Sequence, residues 1–168
     1  MRVSIIMGSI SDREIADKIV AKLMEFGIEY EAKVISAHRA LKELQEYVKN
    51  AEDESQVFIS IAGKAAHLGG VIAALTTRPV IGVPVKSSTL DGLDALLSTV
   101  QMPSGVPVAT VAINGGENAA ILAAEILAVS DDNLKEKLRQ FRSDMSEKIA
   151  NTEYIYEDRK STRLNSSH

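Results

Sequence analysis

The chain has 168 residues, of which 45% are hydrophobic and 25% charged, with a net charge of −4 and no cysteine. That length is enough for one domain with a buried core, while the missing cysteines exclude disulfides and thiol catalysis, and no block of Lys and Arg offers nucleic acid a basic stripe. The first apolar run is too short for a signal-peptide core and no stretch reaches a membrane-spanning length, so a cytoplasmic protein with no membrane or nucleic-acid partner is expected.

Residues 3–7, VSIIM, read as a buried strand. The loop GSISD follows. Gly8 permits a tight turn and close approach to its backbone, and Ser9, Ser11 and Asp12 can each N-cap the helix behind them. A strand, a Gly/Ser loop and a helix N-terminus make a natural anion site, though the same residues also fit an ordinary capped turn. Ile15, Ile19, Leu23 and Phe26 then recur at helical spacing, with Gly27 as the stop. YEAKVI (30–35) is the second strand, and SAHRA after it places His38 and Arg39 at the opening of a helix carrying Leu41, Leu44 and Val48. VFISIA (57–62) is the third strand, followed by AGKAAHLGG, with Lys64 and His67, and a helix over 65–76. PVIGVPV (79–85), a helix over 90–100, VPVATVAI (106–113), a helix over 117–129 and a charged helix near 131–150 complete the pattern. The last eight residues, STRLNSSH, are patternless and read as vector-derived, within a tail of 151–168 outside a single catalytic domain of 1–150.

Near-continuous apolar strands alternating with helices predict a three-layer α/β/α sandwich around a parallel sheet. Ligands of such folds sit at the carboxyl ends of the strands, where the unusual residues of this chain gather. Arg39 can fork onto a phosphate. Asp12 would repel a phosphate and is better suited to ribose hydroxyls, so the pair points to a ribonucleotide. An unperturbed imidazole changes charge near neutrality, which makes His38 the natural proton carrier, whereas His67 fits equally well as a core histidine. A non-catalytic binding module would keep Ser9, Asp12 and Arg39 but has no need of His38. Two internal histidines and no cysteine argue against a metal site. Three Phe, four Tyr and no Trp give a flavin little to stack on. NAAILAAEILA (118–128) is apolar on more than one face, which predicts burial against another subunit and a homo-oligomer.

In order along the chain, MGSISD, SAHRA, AAHLGG, ALTTRPVIGVPV, GLDALLSTVQMPSGVPVATVAI and NAAILAAEILA closely resemble the PurE family of purine biosynthesis. The resemblance runs from about residue 2 to 150. It implies a flavodoxin-like subunit in a homo-octamer that acts on a small-molecule ribonucleotide without metal or other cofactor. The implied reaction moves a carboxylate from the exocyclic nitrogen of an imidazole ribonucleotide to ring carbon C4. On this resemblance the loop of Gly8, Ser9, Ser11 and Asp12, with Arg39, binds ribose and phosphate. Ser36 and Ala37 line the ring, and His38 is the catalytic acid and base. Ala62, Gly63 and Leu68 wall the place where carbon dioxide is held, with His67 close by, and QMPSG (101–105) reaches toward a neighbouring subunit.

Two glycines of the mutase pattern are Ile61 and Lys64 here, and its proline is Gly69. Lys64 is a basic residue shared with the related aminoimidazole ribonucleotide carboxylases, the alternative activity. Pointing inward it could attract the carboxylate; pointing outward it is a solvated loop lysine, which is the reading preferred from the sequence.

Overall fold

The continuous apolar runs become strands covered on both faces: Val3, Ile5, Ile6, Ile59, Ile61 and Ile81 have no appreciable solvent exposure. In this computed structural model, which describes residues 1–165 and the side chains of residues 1–152, the chain divides into two compact units. One is Met1–Leu127 and the second begins at Ala128.

The first unit holds the strands β1 (Arg2–Met7), β2 (Glu29–Val34), β3 (Val57–Gly63), β4 (Val80–Val85) and β5 (Ala109–Thr110). They form one parallel sheet in the order β2-β1-β3-β4-β5, which is the flavodoxin-like winding. The helices are α1 (Arg13–Glu25), α2 (Leu41–Ala51), α3 (Leu68–Leu75), α4 (Leu93–Val100) and α5 (Gly116–Ala128). On one face the start of α5 meets α1, where a Cβ on Gly116 would stand 2.8 Å from Ile15 Cγ2 and Lys22 Nζ pairs with Glu117 Oε1 at 3.3 Å. On the other, α3 lies between α2 and α4. Leu44 and Val48 of α2, Ile72 of α3 and Phe58 of β3 form a closed cluster there, each side chain contributing about 1.5–3 kcal/mol of burial.

Gly27 ends α1 as the sequence suggests. Its φ is 69°, its N–H donates to the Met24 carbonyl, and the Ile28 N–H donates to Leu23. That is the Schellman pattern, which satisfies the last carbonyls of the helix.

Other boundaries shift for local reasons. β5 is two residues long where 106–113 was expected; Pro107, which has no N–H to give a ladder, lies before its late start. β2 is exposed along nearly its whole length, and its Glu29, Glu31 and Lys33 charge an edge that would otherwise invite pairing. The helix expected over 90–100 starts late: Leu90, Asp91 and Gly92 all have positive φ, and α4 begins only at Leu93. The helix expected over 65–76 begins at Leu68, because Lys64 is left-handed at φ 54°. The second helix opens at Leu41, so His38 and Arg39 lie in the turn before it.

In the second unit, α6 (Asp132–Asn165) continues past residue 150, since no Gly or Pro stands in its path. The Asp131 carboxylate caps it by accepting the Leu134 N–H at 2.9 Å. The stretch read as vector-derived continues this backbone as far as residue 165, and residues 166–168 lie outside those described. Among the described residues no helix is long and apolar enough to cross a membrane.

Two glycines allow helix and sheet to close together. A Cβ on Gly69 of α3 would lie 2.7 Å from Ser60 Oγ and 3.5 Å from Val108 Cγ1; one on Gly82 of β4 would overlap Thr99 Cγ2 and stand 3.0 Å from the same Val108 methyl. Gly82→Ala should therefore destabilise the fold by about 1–3 kcal/mol through overpacking. Urea unfolding would show this as a lower midpoint at unchanged slope, and an unchanged midpoint would refute the close-packing account.

Candidate active site

The ends of three strands are locked at one level. The Met7 carbonyl accepts from the Ile35 N–H at 2.9 Å, and the Gly8 N–H donates to the Ile61 carbonyl at 3.0 Å. The β1–β2 and β1–β3 ladders thus run to the last residue of β1, and the loops beyond it leave from a common edge. β4 joins that edge through the pairing of Gly63 with Val85.

A cavity of about 550 Å³ opens there. The first loop supplies Gly8, Ser9, Ser11 and Asp12 to its wall; the second supplies Ser36, Ala37, His38 and Arg39; the third supplies Ala62, Gly63, His67 and Leu68. Every residue selected from the sequence is brought to this one cavity. Lys64 lines it as well, as do Val85, Lys86 and Ser87 at the end of β4, which the sequence reading passed over. The signal for these three was positional: they follow PVIGVPV and therefore fall on the same carboxyl edge.

The first loop is shaped by its own hydroxyls. Ser9 Oγ accepts from the Ser11 N–H at 3.3 Å and from the Ser11 hydroxyl at 2.9 Å, capping the short 3₁₀ turn Ile10–Asp12. Asp12 precedes α1 without making a side-chain cap. Gly8 has no positive φ, and a Cβ there would meet nothing nearer than the Ile61 carbonyl oxygen at 3.8 Å. Neither turn geometry nor a close protein neighbour requires this glycine: a Cβ would make only ordinary contacts with Ile61, Ala62 and Leu68, and the residue lines the cavity.

In the second loop one hydroxyl does two jobs. Ser36 Oγ accepts from the Arg39 N–H at 3.2 Å, closing the turn, and from Arg39 Nε at 3.3 Å, which tethers the guanidinium. The outer nitrogens of the fork remain available to an anion. His38 Nε2 lies 3.0 Å from His67 Nδ1, with ring centroids 5.1 Å apart and planes at 85°. One ring must donate and the other accept, so the bonded pair does not carry two imidazolium charges at once. Proton position in one ring is thereby coupled to the other.

Arg39, Lys64 and Lys86 give the wall three fixed cations against one carboxylate, Asp12. Such a cavity suits a multiply anionic ligand. Asp12 is only 8% exposed, and burial pushes its carboxyl above the usual carboxylate range, with a hydrogen bond from the Ser9 backbone opposing. Leu68, Ala62 and Gly63 form an apolar patch in the same wall. Among the described residues no group of three His, Cys, Asp or Glu side chains is placed to hold a metal ion.

Fold and cavity together define a flavodoxin-like α/β enzyme with its site at the strand ends. A family model described as AIR carboxylase matches residues 2–148, and the chain belongs to that family. The N5-carboxyaminoimidazole ribonucleotide mutase of Methanocaldococcus jannaschii is 59% identical over 147 residues, covering 88% of this chain and 92% of the relative. The chloroplastic phosphoribosylaminoimidazole carboxylase of Vigna aconitifolia is 50% identical over 146 residues, covering 86% of this chain and 26% of the plant protein. Among solved structures, Treponema denticola PurE superposes with a TM-score of 0.86 at 32% identity, covering 92% of this chain and 97% of that one.

The raised carboxyl of Asp12 has a consequence for stability. A folded-state value above the unfolded one favours folding with the carboxyl protonated; this contribution is complete below the ordinary value of 3.8 and is lost as pH rises through the raised value. At neutral pH the ionised, buried Asp12 therefore weakens the fold. Asp12→Asn should raise Tm at pH 7, and the gap to the parent should narrow as pH falls toward 4. Melting curves across this range test it, and a gap independent of pH counts against the burial of a charge.

Proposed function

We propose that this chain is an N5-carboxyaminoimidazole ribonucleotide mutase that delivers 4-carboxy-5-aminoimidazole ribonucleotide. The observation that carries the reading is the hydrogen-bonded His38–His67 pair, set in one wall with the apolar patch of Leu68, Ala62 and Gly63. Isomerisation needs both. His38 gives a proton to the exocyclic nitrogen as its bond to the carboxylate carbon breaks, releasing carbon dioxide and a free amine. Ring carbon C4 then attacks the carbon dioxide, and the C4 proton returns to His38. The proton balance closes on one residue, and His67 holds that imidazole by the bond at Nε2.

Carbon dioxide has no charge to grip, so small side chains and Leu68 confine it by shape, which is catalysis by proximity. Ser9, Ser11 and Arg39 take the phosphate, Asp12 the ribose hydroxyls, and Gly8, Ser36 and Ala37 complete the wall around the ring. No cofactor enters this scheme. The relatives of 50–59% identity that bear the mutase name support it.

The same reading takes residues 1–150 as the catalytic domain, which the family match over 2–148 supports. It places the enzyme in the cytoplasm as a homo-octamer. Leu93, Leu97 and Val100 support assembly, because they expose an apolar row along α4, with Leu90 exposed just before it.

Substrate labelled in the carbamate carbon, turned over in excess unlabelled bicarbonate, tests the mutase. Label should survive in the C4 carboxylate. Complete washout, with faster turnover of aminoimidazole ribonucleotide plus bicarbonate, would replace the mutase by a direct carboxylase. His38→Asn should fold normally and lose at least ~10²–10⁴-fold in kcat; a near-normal rate would remove His38 from its role.

A further inference from the structure

Lys64 and Lys86 are the first residues beyond the last β3–β4 pair, Gly63 with Val85, and both line the cavity. Neither position is left to chance. Lys64 is held at φ 54°, where a long side chain is unfavourable and glycine is at ease. The next turns fix it there, with the Ala66 N–H on the Lys64 carbonyl and the His67 N–H on that of Ala65, each at 2.8 Å. Lys86 is clamped by Asn114, whose Oδ1 accepts the Lys86 N–H at 2.8 Å while its own N–H donates to the Pro84 carbonyl at 2.8 Å. Gly92 closes on the same point: a Cβ there would stand 3.0 Å from Lys86 Cα.

The two ammonium groups are poorly neutralised. Among the described residues Lys64 has no carboxylate partner, and Lys86 has one, the exposed Asp91, at 4.0 Å. Arg39, by contrast, leaves the edge beyond β2, on the far side of β1. At about 4.8 Å per strand, the strand ends that carry them therefore lie roughly 10–14 Å apart along the edge, a span comparable with a mononucleotide. Arg39 thus enters the cavity wall from beyond β2, and Lys64 and Lys86 enter it from beyond β3 and β4, with His38 and His67 in the same wall.

We propose that Lys64 and Lys86 form a carboxylate subsite that grips the carboxylate the reaction moves, at the end of the cavity opposite the phosphate. This rests on the ribonucleotide reading above and adds to it a residue pair that distinguishes carboxylated from uncarboxylated nucleotide. The pair holds the carboxylate at the start and end of the reaction and has no hold on neutral carbon dioxide between them, which is left to the apolar patch.

Calorimetric titration of 4-carboxy-5-aminoimidazole ribonucleotide and of aminoimidazole ribonucleotide into the parent, Lys64→Gly, Lys86→Gln and the double variant tests this. The carboxylated nucleotide should lose at least roughly tenfold in Kd with each single variant, as for a charge-assisted contact. Aminoimidazole ribonucleotide should change by less than about threefold, the residue of screened long-range attraction. Lys64→Gly removes a left-handed side chain and Lys86→Gln keeps the Asn114 clamp, so the two fail to fold for different reasons if at all. Arg39→Ala should weaken both nucleotides alike. Equal losses for both nucleotides in the lysine variants, or no loss for either, would overturn the subsite while leaving the ribonucleotide reading intact. A parent protein that binds neither nucleotide would overturn both.

Discussion

Met7 ends β1 with hydrogen bonds on both sides: its carbonyl takes the Ile35 N–H, and the following Gly8 N–H reaches the Ile61 carbonyl. Because the strand is interior and both its neighbours are parallel, three loops of unrelated sequence must leave the sheet together. The chemistry depends on this. A histidine from the second loop meets a histidine from the third at 3.0 Å only because β1 spaces the two strands that carry them. An antiparallel β2 would send His38 to the opposite edge.

Within that frame the cavity, on the proposed reading, separates three tasks that would interfere if they were mixed. On that reading anion binding is left to side chains at the two ends, proton transfer to His38 held by His67, and confinement of a neutral gas to Leu68 and its small neighbours. A cation beside the carbon dioxide would gain nothing from it, while a polar wall there would admit water. Asp12 shows what such a site costs: it is a carboxylate kept where burial disfavours its charge. The fold tolerates this because the core beneath, from Ile5 to Phe58, is fully closed.

The fold was legible where physics acts locally. β1 and β3 are continuous apolar runs because both faces are covered, and Gly27 stops α1 because a left-handed residue is required there. The rule that parallel strands deliver their ends to one edge led to Ser9, Ser11, Asp12, His38, Arg39 and His67, whereas Ser36, Ala37, Ala62, Gly63 and Leu68 entered through the PurE resemblance; all of them line the one cavity. What escaped was geometry that sequence does not advertise. Lys64, Leu90 and Asp91 adopt φ values that composition assigns to glycine or asparagine, so two helices were expected too early. Lys86 carries no motif and becomes visible only when the end of β4 is placed. β5 starts late, past Pro107, although the residues around that proline are apolar.

Gly69 and Gly82 share their neighbours: Ser60 Oγ and the Val108 methyl face both, and Thr99 closes on the second. Five positions on five separate segments thus form one interlocked set, whose substitutions are strongly coupled in energy. Drift at any single member is blocked while the others stay as they are. Lineages descending from this sequence should change there in concert, so that the five columns covary even though they lie far apart along the chain. The freedom to diversify is left to the exposed helices, and the sheet's helix-facing notch becomes the slowest-moving part of the molecule for reasons of space alone.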